Sequence, residues 1–221
     1  MKRAVIASAG LLLCACASTV TGSPVVDQPG AAPSSSGRPI PGPPPGAPAD
    51  EQPGVVPTTG ATPAACEVED PPPVGVTASV DDPEAPTVTV ALPNGWSTSA
   101  GDDDVGARLA GPDGESATVT IERTSLDPGE AFQRYADDAL EASAVSSISV
   151  LPGALCGFSG QKLLGSWAEP PQQAVTFGDR IAHIPARASN YLVAVHVEAP
   201  ARGAFDPLTS PLLADFAIVI P

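Results

Sequence analysis

Proline is distributed unevenly along this chain, and its distribution decides which part can fold into a packed domain. Residues 17–73 hold 15 of the 28 prolines and no aromatic residue. Such a segment cannot bury enough apolar surface to offset the conformational entropy that folding removes. Pro-Gly-Pro-Pro-Pro at 41–45 favours stiff polyproline II structure. The composition predicts a disordered tether over 16–73, or alternatively a proline-rich ligand for a partner domain, followed by one globular domain over 74–221.

The N-terminus has the layout of a short secretion signal. Two basic residues precede an apolar run over 4–13. This run is too short to span a bilayer core of about 30 Å, which takes about 20 apolar residues. It ends in Leu13-Cys14-Ala15-Cys16, a sequence typical of a bacterial lipobox. We therefore predict a lipoprotein signal peptide over 1–15 and lipidation of Cys16.

Two other interpretations of this N-terminus remain open. Cys14 could be the modified residue, although Leu13 fits poorly at the position before it, and an ordinary cleaved signal would leave no anchor. A single acyl chain binds membranes only marginally, whereas two or three chains hold a protein stably. The lipobox interpretation places the mature chain on the outer face of the cell membrane, anchored through Cys16.

The chain carries a strong excess of negative charge. Its formal net charge is −15, and loss of the two basic residues of the signal lowers it to −17. From residue 74 onward there are 19 acidic residues and 7 basic ones. This charge repels phosphate backbones and anionic headgroups. We therefore expect no nucleic-acid partner, and contact with the membrane only through the N-terminal lipid.

Two cysteines remain after the lipobox, and an exported protein meets an oxidising environment. Cys66 and Cys156 are therefore predicted to form a disulfide that closes a loop of about 90 residues. Metal binding is the alternative, but His183 and His196 lie far from both cysteines and no closely spaced cysteine pair is present. The sequence predicts neither a metal site nor a cofactor.

Strand patterns occupy most of the domain. In PTVTVAL at 86–92, Val88, Val90 and Leu92 alternate with other residues and would share one face of a half-buried strand. Gly-Pro-Asp-Gly at 111–114 is typical of a hairpin turn. Further strands are predicted over 105–110, 117–123, 145–151, 157–165, 174–184 and 191–198.

The clearest local signal marks the start of a long helix. Asp127 suits the N-cap, Pro128 the first helical position, and Glu130 the capping box. The helix is predicted to run to about Ala142, and a short C-terminal helix is predicted to end at Phe216. Hairpins around one long helix predict an α+β fold, a mostly antiparallel sheet packed by the long helix and the short C-terminal helix.

Several polar motifs suggest a catalytic or metal-binding site but lack the residue pattern that such a site requires. Gly157-Phe158-Ser159-Gly160-Gln161 has glutamine where a nucleophile elbow needs its second glycine. Three consecutive aspartates at 102–104 lack the spaced ligands of a calcium loop. A hairpin centred near Arg187 would place His196 opposite about Gly178 and leave His183 well away along the sheet. No enzyme activity is predicted from these residues.

The stretch Leu92-Pro93-Asn94-Gly95-Trp96 forms a tight turn after a strand, with a tryptophan that can cap the core edge. Such a turn, followed by a hairpin and a capped helix, resembles the PsbP-like fold. With the lipobox and tether before it, the chain looks like the LpqN-type lipoproteins of mycobacteria, over roughly residues 86–217. The resemblance implies a non-enzymatic envelope protein associated with cell-wall lipid transport and biosynthesis, without catalytic residues.

These features predict a binding or accessory module of the cell envelope, whose partner is an envelope lipid or glycolipid, or an exported envelope protein. The alternative is a structural or antigenic surface lipoprotein that binds only protein. A pocket between the long helix and the sheet would be the ligand site, although plain core is the commoner role for aromatic residues of this kind. The predicted lining residues are Trp96, Phe132, Tyr135, Ala136 and Trp167.

Overall fold

The computed structural model describes residues 52–57, 65–141, 143–168 and 173–221. The predicted signal peptide, the lipidation site at Cys16 and most of the predicted tether lie outside these ranges. Within them the chain forms two antiparallel sheets and one α-helix, which confirms the predicted α+β class. In chain order the elements are β1 (Ala65–Cys66), β2 (Gly75–Ala78), β3 (Thr87–Ala91), β4 (Ser97–Ala100), β5 (Val105–Ala110), β6 (Ser116–Thr124), α1 (Pro128–Glu141), β7 (Ser146–Pro152), β8 (Ser159–Ala168), β9 (Ala174–Pro185), β10 (Asn190–Pro200) and β11 (Ala217–Val219).

The larger sheet has seven strands in the order β4-β5-β6-β10-β9-β8-β7. Its central strand β10 is covered on both faces: Val193 and Val195 face the second sheet, while Leu192 and Ala194 lie under α1. Successive side chains of a strand point to opposite faces. A strand buried on both sides therefore needs apolar residues at every position, as the run from 191 to 195 has.

The smaller sheet has the order β1-β11-β3-β2 and packs on the face of the larger sheet that is opposite α1. Val88 and Val90 of β3 are fully buried in the core between the sheets, as their alternation predicts. Ile218 of β11 pairs with Val88 on one side and with Cys66 on the other. The molecule thus has three layers: the small sheet, the large sheet and the helix.

Helix α1 begins where the sequence predicts. The backbone N–H of Glu130 donates to Oδ1 of Asp127 over 2.8 Å, so Asp127 is the N-cap. The helix ends at Glu141, one residue from the predicted limit. Phe132 and Ala131 are buried on the sheet against Leu163 and Ile181, so the apolar stripe faces the core.

The predicted short C-terminal helix is a single 3₁₀ turn, Pro211–Leu213. After Phe216, where that helix was expected to end, the chain continues as strand β11. One isolated helical turn is marginal because nucleation fixes several dihedral angles for one hydrogen bond. Pairing with β3 instead satisfies the backbone and buries Ile218 completely.

A disulfide joins Cys66 to Cys156, which confirms the predicted pairing. It fixes β1 to the loop between β7 and β8. Residues 52–57, which we call the strap, lie against the start of β8: Gly160 N–H donates to the Gly54 carbonyl over 2.9 Å. Gly54 has φ +78°, and a Cβ there would collide with the Gly160 carbonyl oxygen, so only glycine suits this position. Contacts with the domain thus begin N-terminal to the predicted boundary at residue 74.

Candidate functional site

A polar network lies where α1 meets the large sheet. The hydroxyl of Tyr135, on α1, donates to Oδ1 of Asp179 over 2.7 Å. His196 stands directly opposite Asp179 in the β9–β10 pairing, and its Nδ1 donates to the same oxygen over 2.6 Å. The other ring nitrogen, Nε2, donates to Glu198 over 2.8 Å. The network therefore joins the helix to two adjacent strands.

Both nitrogens of His196 face carboxylates, so the ring is held as an imidazolium. Burial opposes the charge, but hydrogen bonds and attraction from Asp179 and Glu198 outweigh it and raise the pKa of His196 from 6.5 to about 10. Burial and the neighbouring Asp179 raise the pKa of Tyr135 well above 10, so its hydroxyl stays a neutral donor.

Asp179 is the least accessible member of the network. Its side chain is 1% exposed, and Oδ1 accepts from both Tyr135 and His196. Among the described residues, no donor reaches its Oδ2. A buried carboxylate oxygen without a partner is costly. The charge of His196 offsets part of that cost, and we assign the pair a role in fixing α1 to the sheet.

Next to this network, half of the helix-side face of the large sheet is uncovered in the part of the chain that the structure describes. Helix α1 packs on β7, β8 and β9. Thr118 of β6 lies opposite His196, and Arg108 of β5 lies opposite Thr118, so these side chains share the helix side. We call this surface the open face. Its exposed or half-buried residues on β4, β5 and β6 are Ser97, Ser99, Arg108, Ala110, Ser116, Thr118, Thr120 and Glu122.

The predicted pocket residues do not come together in one place. Phe132 is fully buried, and Tyr135 and Ala136 pack against the same helix-side core. Trp167 is half-buried on β8, and its indole N–H has no partner among the described residues. Trp96 instead packs against the core between the two sheets. The structure thus joins three of the five residues on α1 and separates Trp96 from them.

The space between α1 and the sheet beside Tyr135 has a volume of about 50 Å³. It is lined by Leu126, Ala131, Tyr135 and Leu192 together with polar residues at the rim. Sites for drug-sized ligands usually enclose about 300–1,000 Å³. This space is too small for an acyl chain, and the side chains around Phe132 form a packed core.

The serine and histidine considered from the sequence are engaged in structural hydrogen bonds. Ser159 is buried, and its hydroxyl accepts the backbone N–H of Val56 in the strap over 3.0 Å. His183 lies opposite Ser159 across β8 and β9, but its Nε2 donates to the carbonyl of Leu126 over 3.1 Å. Burial lowers the pKa of His183, so this ring is neutral.

The aspartates at 102–104 lie in an exposed loop, where Asp102 pairs with Arg108 over 2.8 Å. Across the described ranges, no group of three or more histidine, cysteine or acidic side chains is arranged to hold a metal ion. In the same ranges, no helix combines the length and apolar character that crossing a membrane requires.

The link between Asp179 and His196 was not predicted from the sequence, because the predicted register of the hairpin differs by one residue from the observed register. A hairpin centred near Arg187 would place His196 opposite Gly178, but the observed turn pairs Asn190 with Pro185 and so shifts His196 to Asp179. The alternation of His196 and Glu198 on one face of β10 was the available signal. Only the correct register shows that a second carboxylate lies across from it.

The three layers define an α+β sandwich of two antiparallel sheets with one helix. The solved structure of LpqN, described as involved in cell envelope biogenesis of Mycobacterium tuberculosis, has a similar fold, with a TM-score of 0.53. The match covers 66% of this chain and 91% of LpqN, at 16% sequence identity. No protein-family model and no curated protein matches the sequence. The similarity therefore supports the expected resemblance at the level of fold.

Proposed function

We propose that this protein is a non-enzymatic accessory module of the cell envelope, held at the outer face of the membrane by a lipid on Cys16, and that it binds exported envelope proteins through the open face. The role of LpqN in envelope biogenesis supports the setting. We prefer a protein partner to a lipid because α1 packs solidly against the large sheet.

A lipid-binding protein has to enclose much of an acyl chain, because burial of the CH₂ groups supplies the binding energy. About 50 Å³ of space lies beside Tyr135, and Phe132 fills the region below the helix. Capture of an envelope lipid or glycolipid would require α1 to move away from the sheet. That movement would break the hydrogen bond from Tyr135 to Asp179.

The open face has the properties of a protein-docking surface. It is built on paired strands, so its shape is fixed before binding. Small serine, threonine and alanine side chains dominate it, and Arg108, Glu122 and Glu198 add charges of both signs at its margins. Such a surface offers hydrogen bonds and close backbone approach but little apolar area, which suits a polar protein partner better than a lipid.

The state of His196 supports a non-enzymatic role. A general base needs a pKa near the working pH. With its pKa raised to about 10 by Asp179 and Glu198, His196 holds its proton at neutral pH. The hydroxyl of Ser159 is occupied by the strap. These contacts support a structural role for both residues.

The proposal is tested by photo-crosslinking in the native envelope, with a photoreactive residue at Ser116 on the open face. A captured protein is then purified, and its affinity for the purified domain is measured by calorimetry. We expect Ser116→Arg to weaken that affinity by at least about tenfold, which corresponds to about 1.4 kcal/mol.

Ser147→Arg is the matched control. Ser147 is exposed on β7, at the other end of the same sheet, and its side chain points away from the helix side. We expect this control to retain the affinity. Equal effects of the two substitutions would contradict docking through the open face. A stoichiometric lipid in the purified domain, detected by mass spectrometry, would instead favour lipid capture.

A further inference from the structure

A second cleft lies at the far end of the core from α1, beside Trp96. It encloses about 220 Å³ between the turn that follows β3 and the segment that precedes β11. Trp96 and Phe205 both line it, and each is half-buried against the core between the sheets. A Cβ on Gly111 would collide with the indole ring, so the backbone at Gly111 lies directly against Trp96 and holds it in place.

The cleft combines aromatic rings with uncompensated negative charge. Glu115 and Asp206 contribute carboxylates to its lining. Among the residues that the structure describes, no lysine, arginine or histidine lines it. Asp206 accepts hydrogen bonds from the backbone of Leu208 and the hydroxyl of Thr209, which fixes its position at the rim. Carboxylates are acceptors only, so a ligand has to supply donors and positive charge.

The size of the cleft limits what can enter. Its volume lies below the range of about 300–1,000 Å³ that is usual for whole drug-sized ligands. Pro93 and Pro211 add rigid apolar walls beside the two rings. An alkyl stem can pack against such walls while its charged end stays near the carboxylates. A cation near an aromatic face gains further attraction from the ring quadrupole.

We infer that this cleft binds the alkylammonium or guanidinium group of a lysine or arginine side chain from an extended segment of another protein. The apolar walls receive the stem, Trp96 and Phe205 contact the cation, and Glu115 and Asp206 neutralise it. The strongly acidic domain also attracts basic segments at long range. No residue that lines the cleft belongs to the open face, although Trp96 and Glu115 directly precede Ser97 and Ser116 of that face, and the inference does not depend on the proposed function.

The test uses the purified protein and follows the indole N–H signal of Trp96 by NMR. The chain has two tryptophans, and Trp167→Phe assigns their signals. The probe is N-acetyl-lysine methylamide, and its neutral control is the norleucine analogue, which has the same four side-chain carbons without the ammonium group. We expect a saturable shift of the Trp96 signal with the lysine probe that weakens as salt increases. The norleucine analogue should give no saturable shift at the same concentrations.

A double substitution tests whether the carboxylates of Glu115 and Asp206 attract the cationic probe. Glu115→Gln together with Asp206→Asn should lower the affinity for the lysine probe by at least about tenfold, or about 1.4 kcal/mol. Asp113→Asn is the matched control for Glu115→Gln, because each removes one negative charge and Asp113 lies in the neighbouring turn but outside the cleft lining. This control should keep the affinity within about twofold.

If Asp206→Asn disturbs its turn, Glu115→Gln alone serves as the second variant, since the Glu115 side chain makes no hydrogen bond within the described ranges. That variant should still weaken binding of the lysine probe. Equal binding of norleucine, or equal weakening by Asp113→Asn, would overturn the inference. Tighter binding of choline than of N-acetyl-lysine methylamide would overturn the choice of a protein side chain in favour of a lipid headgroup.

Discussion

Arg180 on β9 forms an ion pair with Asp215, the residue that precedes the last buried aromatic side chain, at 2.9 Å between Nη2 and Oδ1. The arginine side chain is fully buried, whereas Asp215 is 56% exposed. Arg180 also donates to the carbonyl of Gly153, in the loop after β7. One buried cation thus connects the centre of the large sheet, the disulfide-bearing loop and the C-terminal segment.

Asp215→Asn should destabilise the domain, because it leaves a buried guanidinium without its neutralising charge. Breaking a fully buried pair costs about 3–5 kcal/mol, and we expect about 1–3 kcal/mol here since Asp215 is half exposed to water. Chemical denaturation measures the loss. Asp102→Asn is the control, because both side chains of the Asp102–Arg108 pair are exposed to solvent. This substitution should change the stability by less than about 1 kcal/mol. Equal losses in the two variants would contradict this account.

The pairing of His196 with Asp179 predicts a dependence of stability on pH. The pKa of His196 is about 10 in the folded protein and about 6.5 in the unfolded chain. The contribution of the charged ring is therefore fully present below about pH 6.5 and is lost as the pH rises toward about 10. We expect the Tm to fall over this range and His196→Gln to flatten the decline. An imidazole that titrates near pH 6.5 by NMR would show that the ring is not held as a cation.

The disulfide should stabilise the domain by restricting the unfolded chain. Cys66 and Cys156 are separated by 90 residues, for which the chain-entropy relation gives an upper figure of about 4.6 kcal/mol. For a domain of this size, a loss of 1 kcal/mol lowers the Tm by about 2–4 °C. Cys156→Ser should therefore lower the Tm by several degrees in a calorimetric scan. Two free thiols in the native, unreduced protein would rule the bridge out.

Ala136→Trp distinguishes a packed helix from the wall of a cavity. Ala136 is half-buried against the helix-side core, and it does not line the small space beside Tyr135. Overpacking a core usually costs about 1–3 kcal/mol, so we expect a clear loss of stability in urea denaturation. Ala139→Trp, also half-buried on α1 but not part of that core, is the comparison and should cost less. Full stability of the Ala136 variant would mean that an unfilled cavity lies beside the helix.

Cys16→Ala tests the predicted anchor. If Cys16 carries the lipid, the variant should leave the membrane fraction and appear in the soluble fraction, because the N-terminal segment has little membrane affinity without the acyl chains. Fractionation followed by immunoblotting measures the distribution, with Cys14→Ala as the comparison. Retention of the Cys16 variant on membranes after a high-pH wash would show that the lipobox interpretation is wrong.

Secondary-structure elements that are specified by neighbouring residues could be predicted from the sequence. Asp127 and Pro128 define the start of α1 without help from the rest of the chain, and the alternation around Val88 defines β3. The smaller sheet could not be predicted in this way. Its strand β1 has only two residues. This strand forms because the disulfide and pairing with β11, about 150 residues later in the chain, hold it in place.

The candidate site could be predicted from the sequence even less well than the fold. The open face follows from which strands α1 covers, and this depends on the order of strands in the sheet. The acidic aromatic cleft joins Glu115 with Phe205, which are far apart in the chain. Residues of this kind carry no shared periodicity, so their proximity is a property of the tertiary fold alone. The sequence pattern indicated Trp96 as a core-edge residue of a pocket beside α1, whereas in the structure Trp96 packs against the core between the two sheets.

The strap determines how a mechanical pull from the membrane would reach the domain. With an anchor at Cys16, as the sequence predicts, residues 52–57 are the first of the described residues to meet tension from the membrane, and hydrogen bonds to Ser159, Gly160 and Gln161 together with the packing of Val55 resist it. These bonds can open without unfolding either sheet. The next attachment among the described residues is the covalent bridge from Cys66 to Cys156, in the loop that precedes β8. Tension would therefore release the strap, and so lengthen the connection to the membrane, before it loads the disulfide.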